Sequence, residues 1–163
     1  MMPAWCCRSA AVKPVRWLCG ALAACLVEPA LALGREVGYA EATGHFASLQ
    51  ELQHCGDWQL GERSVALRLL RFTLYGQDLL FVDQLQPAAD GTHLQVERGF
   101  GFTEFNNDHA EISLAQLRCS SDGKASMRIS GIAENGHDGS RQRFQINLDG
   151  RSGAYRYEAS PSE

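Results

Sequence analysis

Lysine is nearly missing from this chain. Beyond residue 32 only Lys124 is present. Nonspecific affinity for nucleic acid comes mostly from lysine and arginine neutralising phosphates, and a polybasic membrane patch needs the same residues. Neither class of function is favoured. Long hydrophobic runs are missing too. The N-terminal apolar stretch, Trp17–Val27, falls far short of the ~20 residues that a spanning helix requires. No Gly-x-Ser-x-Gly elbow, His-Glu-x-x-His pair or phosphate-binding glycine loop occurs. There are no internal repeats, low-complexity tracts or linker-like segments, which points to one domain.

What is present begins with an export pattern. Arg8, Lys13 and Arg16 form a positive region, Trp17–Val27 an apolar core, and Ala30-Leu31-Ala32 a small-x-small cleavage site. Residues 1–32 therefore read as a signal peptide and residues 33–163 as a single exported domain beginning at Leu33. The alternative cut is at Leu22-Ala23-Ala24-Cys25, which is similar to a lipobox and would anchor the protein to a membrane through a lipidated Cys25. Residues 1–32 hold three basic residues and one acidic residue. The remainder has twelve basic and eighteen acidic residues, a net charge of −6. Two cysteines remain, Cys55 and Cys119. In an oxidising compartment they read as one disulfide. It would close a loop of 64 positions, on the order of 4 kcal/mol by chain entropy.

The most apolar stretch after the N-terminus, Val65–Leu85, is broken once at Tyr75-Gly76-Gln77-Asp78 and predicts a long hairpin. Its first arm changes parity. Val65, Leu67 and Leu69 share one face, while Leu70, Phe72 and Leu74 share the other, so either a bulge near Leu69–Leu70 or burial on both faces is required. The second arm alternates on both sides as well. Gly44–Cys55 predicts a helix, with Phe46, Leu49, Leu52 and Cys55 every third residue and Thr43 as a cap. After the hairpin, short alternating segments recur every ten residues or so, punctuated by Asp-Gly and Asn-Gly. These include His93–Phe105, with Leu94, Val96, Phe100 and Phe102 on one side. The expected fold is mainly β: an antiparallel sandwich or barrel-like domain of about seven or eight strands with one short N-terminal helix. One segment is ambiguous. Residues 107–117 also fit a helix, with a capping box at Asp108 and Glu111, which would make the fold α+β.

Arg98–Phe105, RGFGFTEF, resembles the octapeptide signature of RNA-recognition-motif domains, with Thr103 where a branched aliphatic is usual. Leu80–Leu85 resembles that family's shorter signature. The resemblance implies base stacking by Phe81, Phe100 and Phe102 on an open sheet. The twelve residues Gln86–Glu97 between the two matches must then supply a helix and a strand, and they contain Pro87 and Asp90-Gly91. With the acidic balance, no nucleic-acid partner is expected. Histidines near carboxylates, His109 with Asp108 and Glu111, His137 with Glu134 and Asp138, and His93, are the groups a general base would need. Neither Asn106-Asn107-Asp108 nor Asn135–Asp138 follows a calcium-loop pattern. No metal or other cofactor is expected.

The leading expectation is a noncatalytic cell-envelope module, periplasmic or secreted, that binds a protein partner or a small apolar ligand. Its candidate surface is Arg98, Phe100, Phe102 and Phe105. The alternative is a small envelope hydrolase using His109, Glu111 and His137. Intact mass of protein purified from envelope fractions, with and without reductant and a thiol label, is expected to give a chain starting at Leu33 with two protected thiols. A chain starting at lipidated Cys25 would place the protein on a membrane. An uncleaved chain with free thiols would overturn the export reading.

Overall fold

The hairpin forms as strands β2 (Arg63–Leu74) and β3 (Gln77–Pro87). In the computed structural model, which describes residues 34–162, the turn is only Tyr75-Gly76. Both residues take positive φ, 55° and 78°, the geometry whose twist matches a two-residue hairpin. Gln77 and Asp78, expected in the turn, belong to β3 and are buried. Residues 1–32, expected to be a signal peptide, and the Cys25 alternative lie outside the described residues.

The other strands are β1 (Leu49–Leu60), β4 (Leu94–Gly101), β5 (Ile112–Ser121), β6 (Ser126–Asn135), β7 (Arg141–Asp149) and β8 (Tyr155–Pro161). They make two antiparallel meanders, β1-β2-β3-β4 and β5-β6-β7-β8, which do not close into a barrel. One short helix, α1 (Tyr39–Gly44), and a 3-10 turn at Phe46–Ser48 precede β1. No helix among the described residues is long and apolar enough to cross a membrane.

The main core lies between the sheets. Val65, Leu67, Leu69, Leu80 and Val82 face Leu114, Met127, Ile129, Phe144 and Ile146. Phe102 and Phe105, on the crossover from β4 to β5, fill its edge. Phe105 stands 4.7 Å from Phe144 and 5.7 Å from Tyr157, ring centre to ring centre. The Cys55–Cys119 disulfide joins β1 to β5 across the two sheets, with Cα atoms 5.2 Å apart. Trp58 Nε1 donates to the Ser126 carbonyl (3.0 Å), a second tie between the sheets.

A second cluster lies on the far side of the first sheet. Leu70, Phe72, Leu79 and Phe81 pack beneath Val37 and Ala42 of the N-terminal segment. This resolves the parity change in β2. Pairing with β3 runs without interruption from Ala66 to Leu74, so there is no bulge and both faces are buried. Gly99 is needed here, because a Cβ at that position would sit 2.4 Å from the Tyr39 ring. Tyr39 also donates to the buried carboxylate of Asp83, which pairs with Arg68. Burial and that hydrogen bond push the Tyr39 phenol well above a tyrosine's usual range.

One expected helix is absent, and the ambiguity at residues 107–117 is resolved. Gly44–Cys55 is not a helix, since from Leu49 onward it is strand β1. Phe46 and Leu52 are largely exposed and form no buried stripe. A bulge between His54 and Gly56, with Gly56 at φ 95°, shifts the phase of β1 and turns both Cys55 and Trp58 into the core. The chain's short helix, α1, instead lies almost wholly ahead of that segment, at Tyr39–Gly44. Residues 107–117 are not helical either. The Leu114 amide donates to Asp78 (2.8 Å) and the Glu111 amide to Gln77 (2.6 Å), not to carbonyls one turn earlier. Long-range partners outcompeted the local capping box. Asp108 instead accepts from the Arg35 amide (2.8 Å).

Asn106 is fully buried and copies a strand. Its amide accepts from the Leu80 N–H and donates to the Leu80 carbonyl, both at 2.8 Å. It supplies the partner that β4, which ends its pairing at Gly101, no longer provides. Asn106→Leu is expected to destabilise the protein by about 2–5 kcal/mol, because two buried backbone groups lose their partners. Urea unfolding measures this.

The N-terminal segment is also held at its surface. Arg35 donates to Glu41 at 2.6 and 2.7 Å, and Tyr75 donates to the same carboxylate at 2.6 Å. These bonds, Arg35 first, hold the Glu41 carboxyl down to about 2, from 4.5. A depressed folded value means that the stabilisation is present above 4.5 and is lost as pH falls toward 2. Thermal unfolding across that range is expected to show a steeper loss of Tm in the wild type than in Glu41→Gln.

Candidate functional site

The phenylalanines proposed as a binding surface are not at the surface. Phe100 is 6% exposed, Phe102 0% and Phe105 1%. A second bulge explains the error at Phe100. Gln84 pairs with Arg98 but Leu85 pairs with Val96, so Glu97 is an extra residue in β4. The phase therefore changes within His93–Phe105. Leu94 and Val96 stay exposed, while Phe100 turns into the core. Phe81 is also fully buried, so the base-stacking face implied by the RNA-recognition-motif resemblance does not exist. The glycines of RGFGFTEF serve close packing: Gly99 admits Tyr39, and Gly101 lies against Phe81 and Asn106.

The histidine candidates do gather. The turn at residues 107–111 meets the β6–β7 loop, and Glu111 is held at φ 49° by its bonds to Gln77 and Gly136. His137 Nδ1 lies 3.6 Å from Glu111, and its Nε2 donates to the His109 carbonyl (3.1 Å). The His109 ring turns away to Asp108 (2.9 Å). All three candidate side chains are more than half exposed. The two rings thus face different partners, and none of the hollows described below is lined by His109, Glu111 or His137. A general base needs an enclosed reacting position as well as a carboxylate neighbour. His93 pairs loosely with Asp90 (3.9 Å) on the β3–β4 turn. Among the described residues, no group of three His, Cys, Asp or Glu is placed to hold a metal ion.

Two concave sites were not foreseen. The first is the outer face of the second sheet. Its cross-strand rows are Ala115-Ile132-Arg143-Ser160, Arg118-Ser130-Gln145-Glu158 and Ser120-Arg128-Asn147-Arg156. A bulge at Gln116 (φ 53°) interrupts β5 beside a hollow of about 480 Å³ floored by Gly131 and Phe144. Four arginines and one carboxylate occupy these rows, in a chain that is acidic overall. Arg156 pairs with Glu158 (2.8 Å). Among the described residues, no carboxylate lies within 4.0 Å of Arg118 or Arg143. The signal was legible in the sequence, since Arg128, Arg143 and Arg156 each precede an inward-facing residue.

The second site is a cleft of about 540 Å³ at one end of the sandwich, lined by Arg63, Gln84, Glu97, Arg98 and Arg151. The Glu97 bulge helps to build it, because a bulge re-aims the side chains of the strand that carries it. Arg98 lies over the Phe100 ring at 4.6 Å and donates to the carbonyls of Arg151 and Ser152. Glu97 accepts from Arg63 (3.1 Å) and from Gln84 (2.7 Å). No family model, curated protein or solved structure matches the chain.

Proposed function

We propose that this protein is a noncatalytic interaction module of the cell envelope. In this reading it is exported, periplasmic or secreted, or tethered through Cys25, and it receives a partner that presents carboxylates to the outer face of the second sheet. The observation that carries the reading is the contrast between the two outer faces. The first sheet's apolar outer face is covered by the N-terminal segment. The second sheet's outer face is polar and concave and carries Arg118 and Arg143 without ion-pair partners among the described residues. Guanidiniums left unpaired on a rigid sheet favour partners of opposite charge, and the planar fork of arginine suits carboxylates.

An apolar ligand held in an interior is less favoured, because the space between the sheets is occupied by core side chains. The hydrolase alternative, with His109, Glu111 and His137, is supported only by the His137–Glu111 approach at 3.6 Å.

A short polyglutamate peptide, followed by NMR, tests the surface. Shifts are expected around Arg118, Ser130, Arg143 and Gln145 and are expected to fade with added salt. Arg118→Glu together with Arg143→Glu is expected to weaken binding by about tenfold or more, about 1.4 kcal/mol. Equal binding by the reversed-charge protein would overturn the assignment.

A further inference from the structure

Strands β1, β4, β5 and β8 lie at the edges of the two sheets. Three of them are irregular. The register of β1 shifts between Leu49 and Glu51 and between His54 and Gly56, that of β4 around Glu97, and that of β5 between Ala115 and Arg118. β8 pairs with β7 without a break, from Tyr155 opposite Leu148 to Pro161 opposite Gln142. Bulges, lysines and prolines are the usual guards of a sheet edge. β8 has no bulge and no lysine, and its proline stands at the last position.

The ladder shows what this free edge offers. Beyond one end of β8 the Asp149 amide donates to the Ala154 carbonyl (2.9 Å), and beyond the other the Ser162 amide donates to the Arg141 carbonyl (2.9 Å). Backbone groups along an antiparallel strand face alternate sides. Ala154, Arg156, Glu158, Ser160 and Ser162 therefore bond toward β7. The N–H and C=O groups of Tyr155, Tyr157 and Ala159 point away from the sheet, and among the described residues they have no hydrogen-bond partner. On the outer face beside them, Arg156 and Glu158 pair with each other at 2.8 Å, with side chains 79% and 50% exposed.

We infer that β8 pairs antiparallel with β8 of a second copy of this chain, about a twofold axis that passes between the two Tyr157 residues. That axis makes Tyr157 a hydrogen-bonded pair with the partner's Tyr157, and Tyr155 one with the partner's Ala159, so every outward N–H and C=O of these residues is satisfied. It also sets Arg156 opposite the partner's Glu158, and Glu158 opposite the partner's Arg156. These are the closer, non-hydrogen-bonded pairs, with Cα atoms about 4.5 Å apart, where opposite charges are favourable. The edge is thus self-complementary in charge as well as in backbone. An axis at Arg156 or at Glu158 would oppose like charges, and the backbone groups there already bond to β7. The second sheets of the two copies join into one continuous sheet with their outer faces on the same side. A contact confined to one strand is small, so the dimer is weak and reversible.

Sedimentation of the purified protein, without peptide, is expected to pass from monomer to dimer between about 1 μM and about 1 mM. Arg156→Glu and Glu158→Arg are each expected to weaken the dimer by about tenfold or more, because each sets like charges opposite at both pairs. Mixed in equal amounts, the two variants are expected to associate about as tightly as the wild type, since every facing pair is again opposite in charge. Ala159→Pro removes an outward N–H and leaves the ladder with β7 intact, and it too is expected to weaken the dimer by about tenfold. No peptide is present, so the result is separate from the binding of carboxylates to the outer face. The inference is overturned if the protein stays monomeric throughout, if the mixed variants associate no better than each alone, or if folded Ala159→Pro dimerises like the wild type.

Discussion

The pair of buried hydrogen bonds between the Asn106 side chain and the Leu80 backbone holds together parts of the molecule that are distant in sequence. Strand β3 is buried on both faces, by the second sheet on one side and by the N-terminal segment on the other. Its backbone has no recourse to water where β4 stops pairing, so another group must take over. Asn106 does so from the crossover between the sheets, while its own carbonyl accepts from Val37 (2.7 Å). The neighbouring polar side chains work in the same way. Gln77 clasps the turn at residues 107–111, and Asp78 accepts from Thr73 (2.7 Å), Arg71 (3.1 Å) and the Leu114 amide (2.8 Å). The start of the second sheet is positioned by polar groups on the central strand of the first, as well as by apolar packing.

This arrangement divides the surface unequally. One outer face is apolar and covered, and the other is polar and open. Arginine supplies nearly all of the positive charge after residue 32, and much of it is placed in two regions, the outer face of the second sheet and the end cleft. Net charge therefore says little about what either region would accept. A region with a balance of −6 after residue 32 can still present local fields of the opposite sign, because screened interactions depend on the charges within about 10 Å.

Irregular strand positions do much of the work of placing chemistry. The bulge at Cys55-Gly56 brings the cysteine into line with Cys119. The extra residue Glu97 separates the exposed Leu94 and Val96 from the buried Phe100 and sets Glu97 beside Gln84. The interruption at Gln116 borders the hollow on the second sheet. Each inserts a residue against a partner strand and so resets which side chains share a face.

Strand content, the hairpin at its core and the positions of the Asp-Gly and Asn-Gly turns were legible in the sequence. So was the cysteine pairing, since only two cysteines followed the export pattern. These features rest on local chemistry: alternation of side chains with period two, backbone conformations that glycine and asparagine tolerate, and a simple count. The two misreadings and the ambiguity at residues 107–117 share one cause. Phe46, Leu49, Leu52 and Cys55 imitated a helix, residues 107–117 carried a capping box, and Phe100, Phe102 and Phe105 looked like a surface strip. In each case a contact with a distant strand decided the outcome: a bulge against β2, amide donation to Gln77 and Asp78, and a phase shift against β3. Which face of a strand is buried, and which arginines remain unpaired, depend on pairing between residues far apart in the chain. A one-residue slip in that pairing reverses every side chain beyond it, and only the tertiary structure fixes where the slips occur.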